Sequence, residues 1–222
     1  LTTIRADAKA EGMKVAIGGW LVPENGSASD APWYGLELTK ADSPWAFAAG
    51  EPFRTIASLE LFATLACVVT FDLATSEDCM LSLAGDTDNA GNSFVVSRMM
   101  TTKWPLAPIL METAVQLRKR QLELNLDWIP RLQNVEADAI TKSDFAAFND
   151  ARRIAVSAKS LSDQFILLPE LLALGPEFQD DLAEKREERA KAETEKAAAA
   201  TSMTKSDGPP RAWKRGRKRP AS

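Results

Sequence analysis

The stretch ELNLDWIPRLQNVEADAITKSDFAAF, residues 123–148, holds two kinds of local order in succession. From Glu123 to Pro130 polar and apolar residues alternate, the period of a strand with one covered face. From Asn134 onward the run reads as a helix opened by an asparagine cap. Early in that helix Asp138 stands between Ala137 and Ala139, a place where a carboxylate is awkward. A buried carboxylate is costly unless it is paired, hydrogen-bonded or bound to a metal.

Upstream, three strands are expected at residues 1–8, 14–22 and 33–39, with a further strand at 45–50, all separated by Gly, Pro, Asn, Ser and Asp clusters. Brief turns between short strands predict an antiparallel meander. An apolar helix follows over residues 55–71, then a strand at 79–85. Residues 83–92, LAGDTDNAGN, read as that strand's end followed by turn-forming residues. Residues 105–122 place apolar side chains at Ile109, Leu110, Ala114, Leu117 and Leu122, close to a helical period, with basic residues on the remaining face. The order is three strands, helix, strand, helix, strand, helix, which predicts a mixed sheet with helices packed on it.

Composition narrows the chemistry. The chain of 222 residues contains no histidine, which excludes a Ser-His-Asp triad, a Cys-His pair and a histidine-ligated metal. Two cysteines, Cys67 and Cys79, form no disulfide framework or cysteine-rich zinc site. The longest uncharged run, between Arg54 and Asp72, contains Glu60 and reads as a core helix rather than a membrane span. The chain opens on Leu1, in what reads as a strand, so a fragment of a larger reading frame is expected, and no signal peptide is visible.

Four segments are expected: a domain over 1–150, a helical extension over 151–178, a charged helix or spacer over 179–202, and a basic disordered tail over 203–222. The tail holds seven Lys and Arg against the single acid Asp207, a net charge of +6. With the whole chain at −4, the first 202 residues carry −10. Such a tail suits phosphate backbones, nuclear import through residues 211–219, or plain solubility. The expected location is intracellular, cytoplasmic or nuclear.

Acids stand in four awkward places: Asp7 beside the first strand, Glu60 as the one charge in its helix, Asp86 and Asp88 at a strand end, and Asp138. If the fourth strand returns parallel to the first, the strand order reverses between them, and sites form at such switch points. Asp7 and residues 86–88 would then be neighbours, with Glu60 above them. Converging carboxylates repel one another and hold raised pKa values, a conflict that hard divalent cations remove. A paired-ion site with roughly 3.5–4 Å between ions serves phosphodiester hydrolysis.

With the order and motifs in view, residues 1–145 resemble the ribonuclease H domain of retrotransposon reverse transcriptases, DIRS-like and related elements in particular. ADAKAEGMKVAIGGWL (6–21) resembles the family's opening strand pair, SLELFATLACV (58–68) its glutamate helix, TDNAGN (87–92) its T-D-N strand end, and WIPRLQNVEADAITKSDF (128–145) its ending, with Pro130, Asn134, Ala137 and Asp138 in place. Lys9 stands where the family usually has Ser. The resemblance implies an α/β ribonuclease H-like fold, a mixed five-stranded sheet in the order 3-2-1-4-5. It also implies that Asp7, Glu60, Asp88 and Asp138 are the catalytic and metal-binding acids, holding two Mg²⁺ ions, with Mn²⁺ the alternative.

The implied activity is hydrolysis of the RNA strand of an RNA/DNA hybrid, with an upstream reverse transcriptase polymerase domain as partner and no membrane. Lys103, Trp104, Arg118, Lys119, Arg120 and Arg131 are the expected nucleic-acid contacts; a solvated basic helix face and a packed tryptophan are the alternative for the first five. Two other readings stay open: a catalytically inactive ribonuclease H-like binding or structural module, and another nuclease of the same superfold. Asp86 is expected to matter less than Asp88.

Overall fold

The structure is a computed structural model. It describes residues 2–194 apart from 25, 49, 74, 75, 77, 176, 178, 179, 181–183 and 186, so the basic tail and residues 211–219 lie outside the described residues, as does part of 179–202. The chain divides into two units, Leu1–Gly175 and Pro176–Ser222. In the second, the described residues 187–194 are helical and exposed, with Lys191 paired to Glu187 one turn back at 2.9 Å.

In the first unit, β1 (Thr3–Glu11), β2 (Lys14–Val22), β3 (Trp33–Leu38), β4 (Leu81–Thr87) and β5 (Leu122–Trp128) form one sheet in the order β3-β2-β1-β4-β5. β1, β2 and β3 are an antiparallel meander, while β4 runs parallel to both β1 and β5. This is the ribonuclease H-like arrangement.

Alternation along β1 sends Ile4, Ala6 and Ala8 to one face of the sheet and Arg5 and Asp7 to the other. The first face takes α1 (Ile56–Thr70), which is buried along most of its length against β1, β2 and α3 (Leu106–Lys119). Residues Pro52–Thr70 are apolar and long enough to cross a membrane by length and composition; here they pack inside the unit. The second face takes α4 (Val135–Thr141) over β1, β2 and β3.

Two adjacent glycines in β2 admit both helices. A methyl group on Gly18 would lie 2.4 Å from Ile140 Cγ2 of α4, and one on Gly19 would lie 2.4 Å from Cys67 Sγ of α1. The strand therefore carries no side chain where the two layers press closest.

Several expectations are corrected. The strand expected at 45–50 is not there among the described residues: Pro44–Phe47 make a single 3₁₀ turn, because Pro44 has no N–H to give a ladder and Trp45, Ala46 and Phe47 turn into the core. After Asp88 comes a helix rather than a turn alone, α2 (Ala90–Arg98), started by the Asn89 side chain, which accepts from the N–H groups of Gly91 and Asn92. α4 stops at Thr141 rather than continuing to residue 148, and Ser143 at φ 61 turns the chain away. Asn134 precedes α4 without capping it; its Nδ2 donates to the Ala6 carbonyl at 3.2 Å.

Within the first unit, residues 151–175 pack on the rest of it through α5 (Ala158–Ser162) and α6 (Leu168–Ala173), which bury Leu161 and Leu168. The anchor is Glu112 of α3, fully buried, whose carboxylate accepts from the backbone N–H groups of Ile166, Leu167 and Leu168 at 3.0, 2.7 and 2.9 Å. Two of the donors that a helix start leaves unsatisfied, Leu167 and Leu168, and that of Ile166 just before them are met by one side chain. These bonds, and that from Gln116, hold the Glu112 carboxyl below its ordinary pKa despite burial.

Candidate metal centre

β1 and β4 are paired only at Thr3 with Ala84, Ile4 with Gly85 and Arg5 with Asp86. Beyond that last pair they part, at the switch point of the strand order, and the acids stand in the opening. Asp7 comes from the middle of β1, Asp88 from just past β4, and Glu60 from α1. One carboxylate oxygen from each lies within 4.8 Å of the others. A cleft of about 310 Å³ runs over them, lined also by Lys9, Glu11, Arg131, Asp138 and Lys142.

Burial and nearby carboxylates raise the pKa values of Asp7 and Glu60. Asp7 is 4% exposed, and its pKa is raised to about 6, by burial first and then by Asp88. Glu60 is raised to about 7, again by burial first, against a hydrogen bond from Asn89, with Asp88 and Asp7 adding to the rise. Asn92 Nδ2 also lies 3.4 Å from Glu60 Oε2. Three hard oxygen donors whose charges conflict at this spacing suit a divalent cation of the Mg²⁺ type. The donor set fits.

Asp138 lines the same cleft, outside the trio. Its carboxylate is paired with Arg131 Nη2 at 3.4 Å and with Lys142 Nζ one turn along α4. Arg131 Nε is also 4.0 Å from Asp88. Each cation lining the cleft is thus engaged by a carboxylate of the chain, Lys9 being paired with Glu11 at 2.8 Å. Asp86, two residues before Asp88, is held by Arg5 Nε at 2.7 Å.

The other expected contacts divide by position. Lys103 and Trp104 line a neighbouring cleft of about 370 Å³ with Arg54, Thr101 and the first turn of α2. Arg118, Lys119 and Arg120 lie at the end of α3, just before β5 begins, whereas the acids stand at the far ends of β4 and β5. Arg118 and Lys119 are exposed; Arg120 is half-buried, bonded to Gln116 and facing Glu112. The structure brings Arg131 to the acids, puts Lys103 and Trp104 in the neighbouring cleft, and does not bring residues 118–120 there.

One residue of the site escaped the sequence reading. The Thr141 hydroxyl, buried, lies 3.1 Å from Asp7 Oδ2 and 2.9 Å from the Asp138 carbonyl, and its bond to Asp7 favours the charged carboxylate. Its place one turn after Asp138, on the same helix face, was the available signal.

No protein-family model matches the chain, and no curated protein does. Among solved structures, the chain is similar to RNase H1 of the halophilic archaeon Halobacterium salinarum, at 16% identity over 65% of this chain and 97% of that one, with a TM-score of 0.38. LC11-RNase H1, isolated from compost by a metagenomic approach and solved in complex with an RNA/DNA hybrid, is 17% identical over 64% and 95%, with a TM-score of 0.45. The N-terminal RNase H domain of a Mycobacterium tuberculosis protein is 16% identical over 66% and 94%, with a TM-score of 0.40.

Proposed function

We propose that this chain is a divalent-metal-dependent nuclease that hydrolyses the RNA strand of RNA/DNA hybrids, as the ribonuclease H part of a retroelement reverse transcriptase. The observation that carries the reading is the convergence of Asp7, Glu60 and Asp88 within 4.8 Å at the switch point of a ribonuclease H-like sheet. The retroelement setting is supported by the sequence motifs alone, and the order of acids along the chain follows theirs.

Asp7, Glu60 and Asp88 would hold Mg²⁺ or Mn²⁺, with Asp138 reaching the cleft from α4. Two such ions, when bound, supply activation of the attacking water and stabilisation of the departing oxygen. The protein's own part is to keep the carboxylates fixed. β1 carries Asp7 on a paired strand, Thr141 holds one of its oxygens, and the Asn92 amide lies against Glu60. Arg131 and Lys142 balance Asp138 until a ligand competes for it. Lys103, which lines the neighbouring cleft together with Arg54, would meet a backbone phosphate there. Discrimination for RNA would rest on contacts to 2′-hydroxyls across a shallow minor groove.

The test is cleavage of a labelled strand in three duplexes, the RNA strand of an RNA/DNA hybrid, one strand of an all-RNA duplex and one strand of an all-DNA duplex, each with Mg²⁺ and with EDTA. Cleavage confined to the hybrid with Mg²⁺ supports the proposal. Metal-independent cleavage, or an intact hybrid, overturns it.

A further inference from the structure

Arg5 and Asp86 form the last paired position between β1 and β4 before the strands part, and each stands two residues before a carboxylate of the trio, Asp7 and Asp88. Alternation and the pairing of Arg5 with Asp86 put Arg5, Asp7 and Asp86 on one face of the sheet, and Asp88 follows just past the end of β4. Arg5 Nε donates to Asp86 Oδ2 at 2.7 Å, and the two side chains are 26% and 16% exposed. The same guanidinium donates from Nη1 to the Gln133 carbonyl at 3.2 Å, immediately before the residue that leads into α4. It also lies over the Trp20 ring, 6.0 Å from the centroid, above the neighbouring strand β2. One arginine therefore touches the strand carrying Asp88, the loop leading to Asp138 and the strand beside its own.

Partly exposed ion pairs contribute little to stability, so this one is not explained by holding the fold together. Its location has another consequence. Without Arg5, the Asp86 charge would join a group of acids that already repel one another, and the backbone pairing alone would hold β1 to β4 at the mouth of the opening. We propose that Arg5 and Asp86 form a positioning clamp, which sets the separation of Asp7 from Asp88 and so the affinity of the trio for divalent cations. The proposal rests on the reading of the trio as a metal site.

The experiment is calorimetric titration of the full chain with Mn²⁺ alone, with folding followed by circular dichroism, for wild type, Asp86→Asn, Arg5→Gln, Arg5→Lys, the double variant Arg5→Gln/Asp86→Asn, and Asp88→Asn. Asp86→Asn and Arg5→Gln should remain folded and bind Mn²⁺ about tenfold more weakly, the lower end of what groups that orient metal ligands are worth. Arg5→Lys, which keeps the charge, should retain most of the affinity, and the double variant should bind no worse than the weaker single one. Should Arg5→Gln not fold, Asp86→Asn carries the test, since it keeps the side chain's shape and removes only its charge. Wild-type affinity in folded Asp86→Asn overturns the clamp and leaves the metal site standing. A wild type that binds Mn²⁺ no better than Asp88→Asn overturns both.

Discussion

Asp7 and Glu60 illustrate what a site of converging acids costs the protein that carries it. Their pKa values stand at about 6 and about 7, above ordinary values of 3.8 and 4.5, so between pH 4 and 7 the folded state holds protons that the unfolded state has released. Stability from these groups is therefore present below pH 4 and lost as pH rises through 6 to 7, by up to about 3 kcal/mol for each group. In EDTA, Asp7→Asn should melt higher than wild type at pH 8 and much the same at pH 4.5, and Mg²⁺ should close the gap by raising the wild type. Identical melting profiles for the two proteins in EDTA would contradict this. Thr141→Val removes the hydroxyl beside Asp7 and should raise the Mg²⁺ concentration needed for half-maximal cleavage, while Thr141→Ser should not. Acids in awkward places were visible in the sequence, but with 31 Asp and Glu in the chain that alone singled out no site; strand order and the motif resemblance did, and the structure groups Asp7, Glu60 and Asp88 with Asp138 outside the trio. Arg5 was not legible, since its partner Asp86 lies far along the chain, and Thr141 was marked only by its place one turn after Asp138, with nothing local to show its contact with Asp7.

Among the elements, β2 is constrained from both sides. Gly19→Ala would drive its methyl group into Cys67 Sγ, with the Arg5 carbonyl and the Tyr34 ring also within 3.1 Å, so a loss of about 1–3 kcal/mol is expected from overpacking. Cys67→Ala in the same chain should recover part of the loss in a urea melt; no recovery would show that the backbone, not the thiol, is the obstacle. Glu112→Ala leaves three backbone donors without their acceptor and should cost about 3–5 kcal/mol, as for other broken buried charge partnerships. Amide exchange of Ile166, Leu167 and Leu168 should accelerate before that of β1, and unchanged protection there would contradict the anchor. The sheet order was readable because strand patterns and motif order agreed. α2 was hidden by Gly91 and by a composition with little helical periodicity, so that only the Asn89 cap marks its start. The apolar stretch within 151–178 reads as one that docks on the domain or on an absent neighbour; its anchor was hidden, because Glu112 reads as an ordinary polar residue on a surface helix.

For the whole molecule, charge is the governing quantity. The first 202 residues carry −10 and the last twenty +6. The cations lining the acid cleft are already paired with the chain's own carboxylates, and Arg118, Lys119 and Arg120 lie toward the other end of the sheet. A polyanion bound at this cleft draws its long-range attraction from elsewhere, and the tail is the chain's concentrated source of positive charge. Ending the chain at residue 202 should weaken hybrid binding and flatten its dependence on salt, because fewer counterions are released, while Mn²⁺ binding stays as it was. Equal salt dependence with and without the tail would assign the attraction to the folded unit instead. The central claim is that the acid trio performs metal-dependent cleavage of RNA in a hybrid. The most direct measurement is the rate at which wild type and Asp88→Asn cut a labelled hybrid in Mg²⁺. The account predicts cleavage by wild type and at least a ~100-fold loss in Asp88→Asn, as expected when charge stabilisation of the reacting group is removed; an Asp88→Asn protein that folds and cuts as fast as wild type would contradict it.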